Sequence, residues 1–133
     1  MIQANELRIG NYVEPAEPEY KGQYFKVQSG DIKHIQDGSK LYKYKSIPLT
    51  PEILEKAGFN DAGESAGSIW YYRLINIPSN YMNPTYELNL FTTDEQNKYG
   101  INLEEQYFGY CKSLHQLQNL YFALTGEELP IEL

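Results

Sequence analysis

His115 is the natural candidate for proton transfer in this chain, because an imidazole titrates near neutral pH. Glu104, Glu105 and Cys111 stand close to it in sequence. A Cys–His pair works only when thiolate and imidazole come within hydrogen-bond reach and a third group orients the base. Cys111 precedes the helix in which His115 occupies the first turn, so the spacing permits contact without requiring it. The expectation for His115 is a helix-flank side chain bonded to a strand carbonyl or carboxylate. His34, among lysines, is expected in a strand or turn. A glycosidase-type carboxylate pair is defined by separation in space, which spacing along the chain does not give. One cysteine and two histidines exclude an internal disulfide and supply no short-spaced zinc pattern. No catalytic residue, metal or cofactor is therefore assigned, and a small enzyme using His115 ranks third among the readings.

A second chemistry lies in residues 21–47. Six lysines against Asp31 and Asp37 give this stretch a charge of +4 inside a chain of net charge −7. Lys26, Lys43 and Lys45 interleave with Tyr42 and Tyr44, with Tyr24, Phe25 and Lys40 nearby. Lysines neutralise phosphates and aromatic rings stack on unpaired bases, so this segment is the nucleic-acid candidate. The acidic whole opposes it, since phosphates are repelled. Solvated strand faces with core aromatics produce the same string.

The leading reading is a non-enzymatic interaction protein with a protein partner. Thirteen tyrosines against five phenylalanines and one tryptophan suit either half-buried strands or a contact surface, because Tyr buries its ring and keeps its hydroxyl wet. The flank carrying His115, Gln118 and Phe122 is the candidate patch. Residues 48–133 carry a charge of −8, which raises the idea of an acidic surface that occupies a basic partner.

The elements that must position these residues read as α+β. Leu7 to Val13 is strand-like around a Gly10-Asn11 turn. Two prolines exclude Glu14–Glu19 from a central strand. Tyr24–Gln28 and Leu41–Ile47 alternate, with turn signals at Ser29-Gly30-Asp31 and Asp37-Gly38-Ser39 between them. Short strands at this spacing predict an SH3-like meander. Thr50 and Pro51 open a short helix that Gly58 closes. Asn60–Ser68 is expected to be a loop. Ile69–Ile77 is apolar on both faces and predicts a central strand covered on both sides. Tyr86–Leu90, Tyr99–Leu103 and Tyr107–Cys111 follow as strands, and short connections favour antiparallel pairing. Ser113 and Gln116 form a capping-box pattern. Leu114, Leu117, Leu120, Tyr121 and Leu124 then share one helical arc, expected to pack on the sheet. Asn119 falls on the far side.

At 133 residues the chain is expected to be one domain, with a strand-rich subregion 1–47 and an antiparallel sheet plus two helices in 48–133. Residues after Met1 show no basic start and apolar run, so no signal peptide is expected. No membrane-length apolar stretch occurs. The expected location is the cytoplasm.

Three segments, Glu6-Leu7-Arg8-Ile9-Gly10-Asn11-Tyr12-Val13, Ile47-Pro48-Leu49-Thr50-Pro51-Glu52 and the C-terminal stretch from Leu114-His115-Gln116-Leu117 to Leu129, resemble a family of small uncharacterised proteins of gut-bacterial and prophage genomes. The resemblance implies a mobile-element accessory protein and no mechanism.

Overall fold

Tyr12–Pro15 (β1) sits between Phe25–Lys26 (β2) and Tyr44–Lys45 (β3) in a small antiparallel sheet. The computed structural model describes residues 4–20, 22–36, 44–79 and 84–133. Gly10 turns the chain into β1 with φ +96°, and the Asn11 side chain accepts the Arg8 N–H at 2.6 Å. Pro15 ends β1 opposite Tyr44. The prolines therefore do not keep residues 14–15 out of the middle strand: at a strand's last residue the missing N–H interrupts no further ladder.

The Ser29-Gly30-Asp31 turn is instead the start of a helix, Ser29–Gln36 (α1). Asp31 lies in its first turn and its carboxylate accepts the Gln28 N–H at 2.9 Å, the returning arm of a capping box. Ile32 then packs with Val13, Val27, Leu7 and Tyr44 in a minor core. His34 lies on this helix, not in a strand or turn; its side chain is outside the described residues, as are 37–43 and the predicted turn at Asp37-Gly38-Ser39.

The linker residues 47–49 pair beside the chain that leaves the large sheet. Leu49 donates to the Lys112 carbonyl at 3.1 Å, and Leu114 donates to that of Ile47 at 2.9 Å. Pro51–Lys56 (α2) follows, with Thr50 Oγ1 accepting the Ile53 N–H at 3.3 Å. Gly58 is required twice over. Its φ is +86°, and a Cβ there would lie 1.9 Å from Arg73 Nη1, which donates to the Ala57 carbonyl.

Five strands then form an antiparallel meander: Asn60–Ser65 (β4), Ser68–Asn76 (β5), Thr85–Thr92 (β6), Tyr99–Leu103 (β7) and Gln106–Cys111 (β8). The expected loop at 60–68 is thus an edge strand and a hairpin. Ala66 and Gly67 both have positive φ, the signature of a two-residue primed turn. β4 is exposed along its whole length, so no hydrophobic alternation marks it in the sequence.

Leu114–Thr125 (α3) closes the fold and ends at Gly126, φ +75°. Leu114, Leu117 and Tyr121 pack with Tyr71, Ile75, Leu88, Leu90, Tyr99, Ile101 and Cys111 from one face of the sheet, and with Tyr12 of β1. Leu120 and Leu124 border this core. The expected capping box does not form: Gln116 reaches past the cap to accept the Lys112 N–H at 2.8 Å, and the Ser113 hydroxyl makes no cap bond. No helix among the described residues is long and apolar enough to cross a membrane.

Candidate functional site

Successive strand residues point to opposite faces, so packing α2 and α3 on one face of the large sheet leaves the other to solvent. The registers place Trp70, Phe91, Gly100 and Tyr110 in one row across β5 to β8. Tyr72, Asn89, Asn102 and Tyr107 form the next, and Leu74 stands opposite Glu87. Ile69–Ile77 is therefore not covered on both sides. Leu74 is 60% exposed, and Tyr107 and Tyr110 stand out from the edge strand.

The rings on this face are organised. Trp70 and Phe91 stack with centroids 4.6 Å apart. Phe91 leans over Gly100, where a Cβ would lie 2.1 Å from the ring, and meets Tyr107 at 6.5 Å. The Lys98 ammonium rests 4.1 Å from the Tyr110 ring centroid, a cation–π contact.

Beside Trp70 lies a depression of about 400 Å³ bordered by Asn89, Asn102, Glu87, Glu104 and Glu105. The Asn102 side-chain oxygen is buried and has no hydrogen-bond partner. Glu104 and Glu105 form the β7–β8 turn, both with positive φ (50° and 67°). That backbone favours Asn or Gly over a longer side chain. Such strain is held by its surroundings and is often associated with function. Here the Glu104 carboxylate accepts the Glu87 N–H at 2.8 Å.

Of the predicted patch, Phe122 alone is presented to solvent. Gln118 is 2% exposed; its Oε1 accepts the Tyr12 N–H at 2.8 Å and its Nε2 donates to the Gly10 carbonyl at 3.3 Å. Asn119 is not on a free far side but bonds Asn11 and the Glu6 carbonyl. Phe122 lies under the Arg8 guanidinium at 4.1 Å, and Arg8 also pairs with Glu128. His115 is 2% exposed, and the expected bond to a strand group is absent: neither ring nitrogen has a partner. Burial holds its pKa below the ordinary value, with Glu6 acting in the opposite direction. Cys111 faces the core, and burial pushes its thiol up to about 12. The thiol therefore supplies no thiolate near neutral pH, and no hydrogen bond joins it to His115.

In the basic segment, Lys26 and Lys45 pair opposite Tyr12 and Glu14 on one face of the small sheet. Lys26 lies 5.3 Å from the Tyr12 ring centroid. Tyr44 packs in the minor core and its hydroxyl donates to Asp31 at 3.3 Å, so its ring is not free to stack on a base. Tyr42 and Lys43 lie outside the described residues. Among the described residues no group of three or more His, Cys, Asp or Glu is placed to hold a metal ion.

The aromatic sheet face was not anticipated as a site. Its alternation was visible in β6, where Glu87 and Asn89 point away from Leu88 and Leu90. The apolar run of β5 hid it, because Trp70, Tyr72 and Leu74 look like core residues until their neighbours are known. No family model, curated protein or solved structure matches this chain.

Proposed function

We propose that this protein is a non-enzymatic interaction protein that holds a lysine- and arginine-rich segment of a partner protein on the uncovered face of its large sheet. The observation that carries the reading is the depression beside Trp70, where stacked rings, glutamates and an unpartnered Asn102 acceptor converge. Every unsatisfied feature there asks for a donor or a cation. The Asn102 oxygen needs an N–H, since a buried acceptor without one is costly. Glu87, Glu104 and Glu105 attract positive charge. The ring faces accept guanidinium and ammonium groups, as Lys98 does on Tyr110. The same carboxylates repel a phosphate backbone, so this face disfavours the nucleic-acid alternative. A cytoplasmic location, the mobile-element setting implied by the resemblance, and an SH3-like meander for the N-terminal strands belong to the same proposal.

Trp70 is the only tryptophan in the chain, so its emission reports directly on this face. Titration with a lysine- and arginine-rich peptide is expected to give a saturable emission change that weakens with salt. Glu87→Gln combined with Glu105→Gln should weaken it several-fold. A glutamate-rich peptide should give none. No response to the basic peptide would refute the reading. A response to single-stranded oligonucleotide instead would replace it with nucleic-acid contact.

A further inference from the structure

We propose that the hollow where α3 begins, at the seam between the two sheets, binds a phosphate group. The hollow measures about 240 Å³ and is lined by Lys45, Ser46, Lys112, Ser113, His115 and Gln116, with Glu6 at its side.

Three independent features agree on the sign of the ligand. The first is the helix itself. α3 is 12 residues long; the Leu114 N–H is taken by the Ile47 carbonyl, and the next N–H groups, of His115 and Gln116, lie at the positive end of the helix dipole. Ser113 stands in the capping position, yet its hydroxyl turns to no backbone N–H.

The second feature is a pair of orphans. His115 and Ser113 are 2% and 4% exposed. Neither imidazole nitrogen nor the Ser113 hydroxyl oxygen has a hydrogen-bond partner. Buried polar side chains are nearly always bonded, and leaving them unpaired costs stability. Both residues line the hollow, and each carries a donor that nothing in the protein uses.

The third feature is charge. Lys45 from β3 and Lys112, the residue after β8, are the two lysines that line the hollow. Lys112 divides its charge with Glu95, which accepts from it at 2.9 Å. A phosphate group is the ligand whose several acceptor oxygens match a hydroxyl, an imidazole N–H, helix-start amides and lysines together.

Glu6 is the opposing group. Its carboxylate repels an anion across the hollow, and a proton on His115 would screen that repulsion. This site lies on a different surface from the aromatic face and does not depend on it.

The test is an NMR titration of the full chain, at constant ionic strength, with inorganic phosphate and with O-phosphoserine, against chloride. The expected result is saturable shifts of the His115 and Gln116 amides and of the His115 ring nitrogens. Stronger binding of inorganic phosphate would identify the free ion as the ligand; stronger binding of O-phosphoserine would identify a monoester. Lys45→Gln, at an exposed position, should weaken binding several-fold, and Glu6→Gln should strengthen it. Trp70 emission should not respond. Shifts that never saturate or merely match those of chloride, or saturable shifts mapping away from α3, would overturn the assignment.

Discussion

Gln118 on α3 accepts the backbone N–H of Tyr12 in β1 at 2.8 Å, while its amide group donates to the Gly10 carbonyl. One side chain thus completes the backbone bonding where the first strand begins, and it ties the small sheet to the helix that covers the large one. Asn11 and Asn119 add a second bond across the same seam at 2.9 Å.

Replacing Gln118 with Leu should cost about 1–3 kcal/mol, because the Tyr12 N–H is left buried without an acceptor. Urea unfolding measures this. Phe122→Ala on the next turn should cost only about 0.5–1 kcal/mol, the worth of an exposed cation–π contact with Arg8. Equal costs would mean that the Gln118 clasp does not hold the seam.

Stability should fall with acid through the imidazole range. Burial lowers the folded-state pKa of His115, so the unfolded chain takes up a proton first as pH falls. The folded state is then favoured fully above the ordinary imidazole value and progressively less below it. Urea midpoints between about pH 5 and 8 should show this slope, and His115→Phe should flatten it. Glu128 gives a separate, more acidic step. The Arg8 hydrogen bond holds its carboxyl below the ordinary value, so its contribution is present above the ordinary carboxylate range and lost as pH falls through the lowered one. Solvent exposure keeps that step small.

Cys111 should resist a thiol reagent such as DTNB in the native protein and react fully in denaturant. Its thiol is buried and shifted to about 12, and thiolate is the reactive form. Fast native labelling would contradict its position in the core.

Gly100→Ala should disturb the aromatic face from beneath. The added methyl would lie 2.1 Å from the Phe91 ring, forcing that ring off Trp70. Gly100 does not have positive φ, so steric displacement is the cause. The expected cost is about 1–3 kcal/mol, with a change in Trp70 emission. Unchanged emission would mean that Phe91 has room elsewhere.

The β7–β8 turn should trade stability for binding. Changing Glu104-Glu105 to Asn-Gly supplies residues suited to positive φ. It should add about 1 kcal/mol by relieving the left-handed backbone, while weakening the response of Trp70 to a basic peptide. A variant that is both less stable and equally responsive would show that these glutamates are there for the turn alone.

Much of the architecture was legible because it is written in local periodicity and punctuation. Thr50-Pro51 and Gly58 bracket α2, the leucine arc marks α3, and Tyr86–Leu90 and Tyr99–Leu103 alternate as strands should. The failures are as physical as the successes. Ser29-Gly30-Asp31 carries turn residues, but Asp31 caps a helix whose Ile32 is drawn in by Val13 and Val27. β4 has no buried side chain to betray it. Gln118 and His115 looked like members of a polar flank because helical spacing gives an angle and not a neighbour.

What the sequence determined by itself was the type of the elements that period or capping residues mark, α2, α3, β6 and β7 among them, and which face of α3 is apolar, since backbone preference and side-chain period act over a few residues. What only the tertiary structure decided was where the polar and aromatic residues are spent. Trp70 and Phe91 meet on an open face, Gln118 disappears into a seam, and His115 ends up buried without a partner. Those outcomes depend on strand register and on which of two sheet faces the helices cover, and both are settled by contacts between residues far apart in the chain.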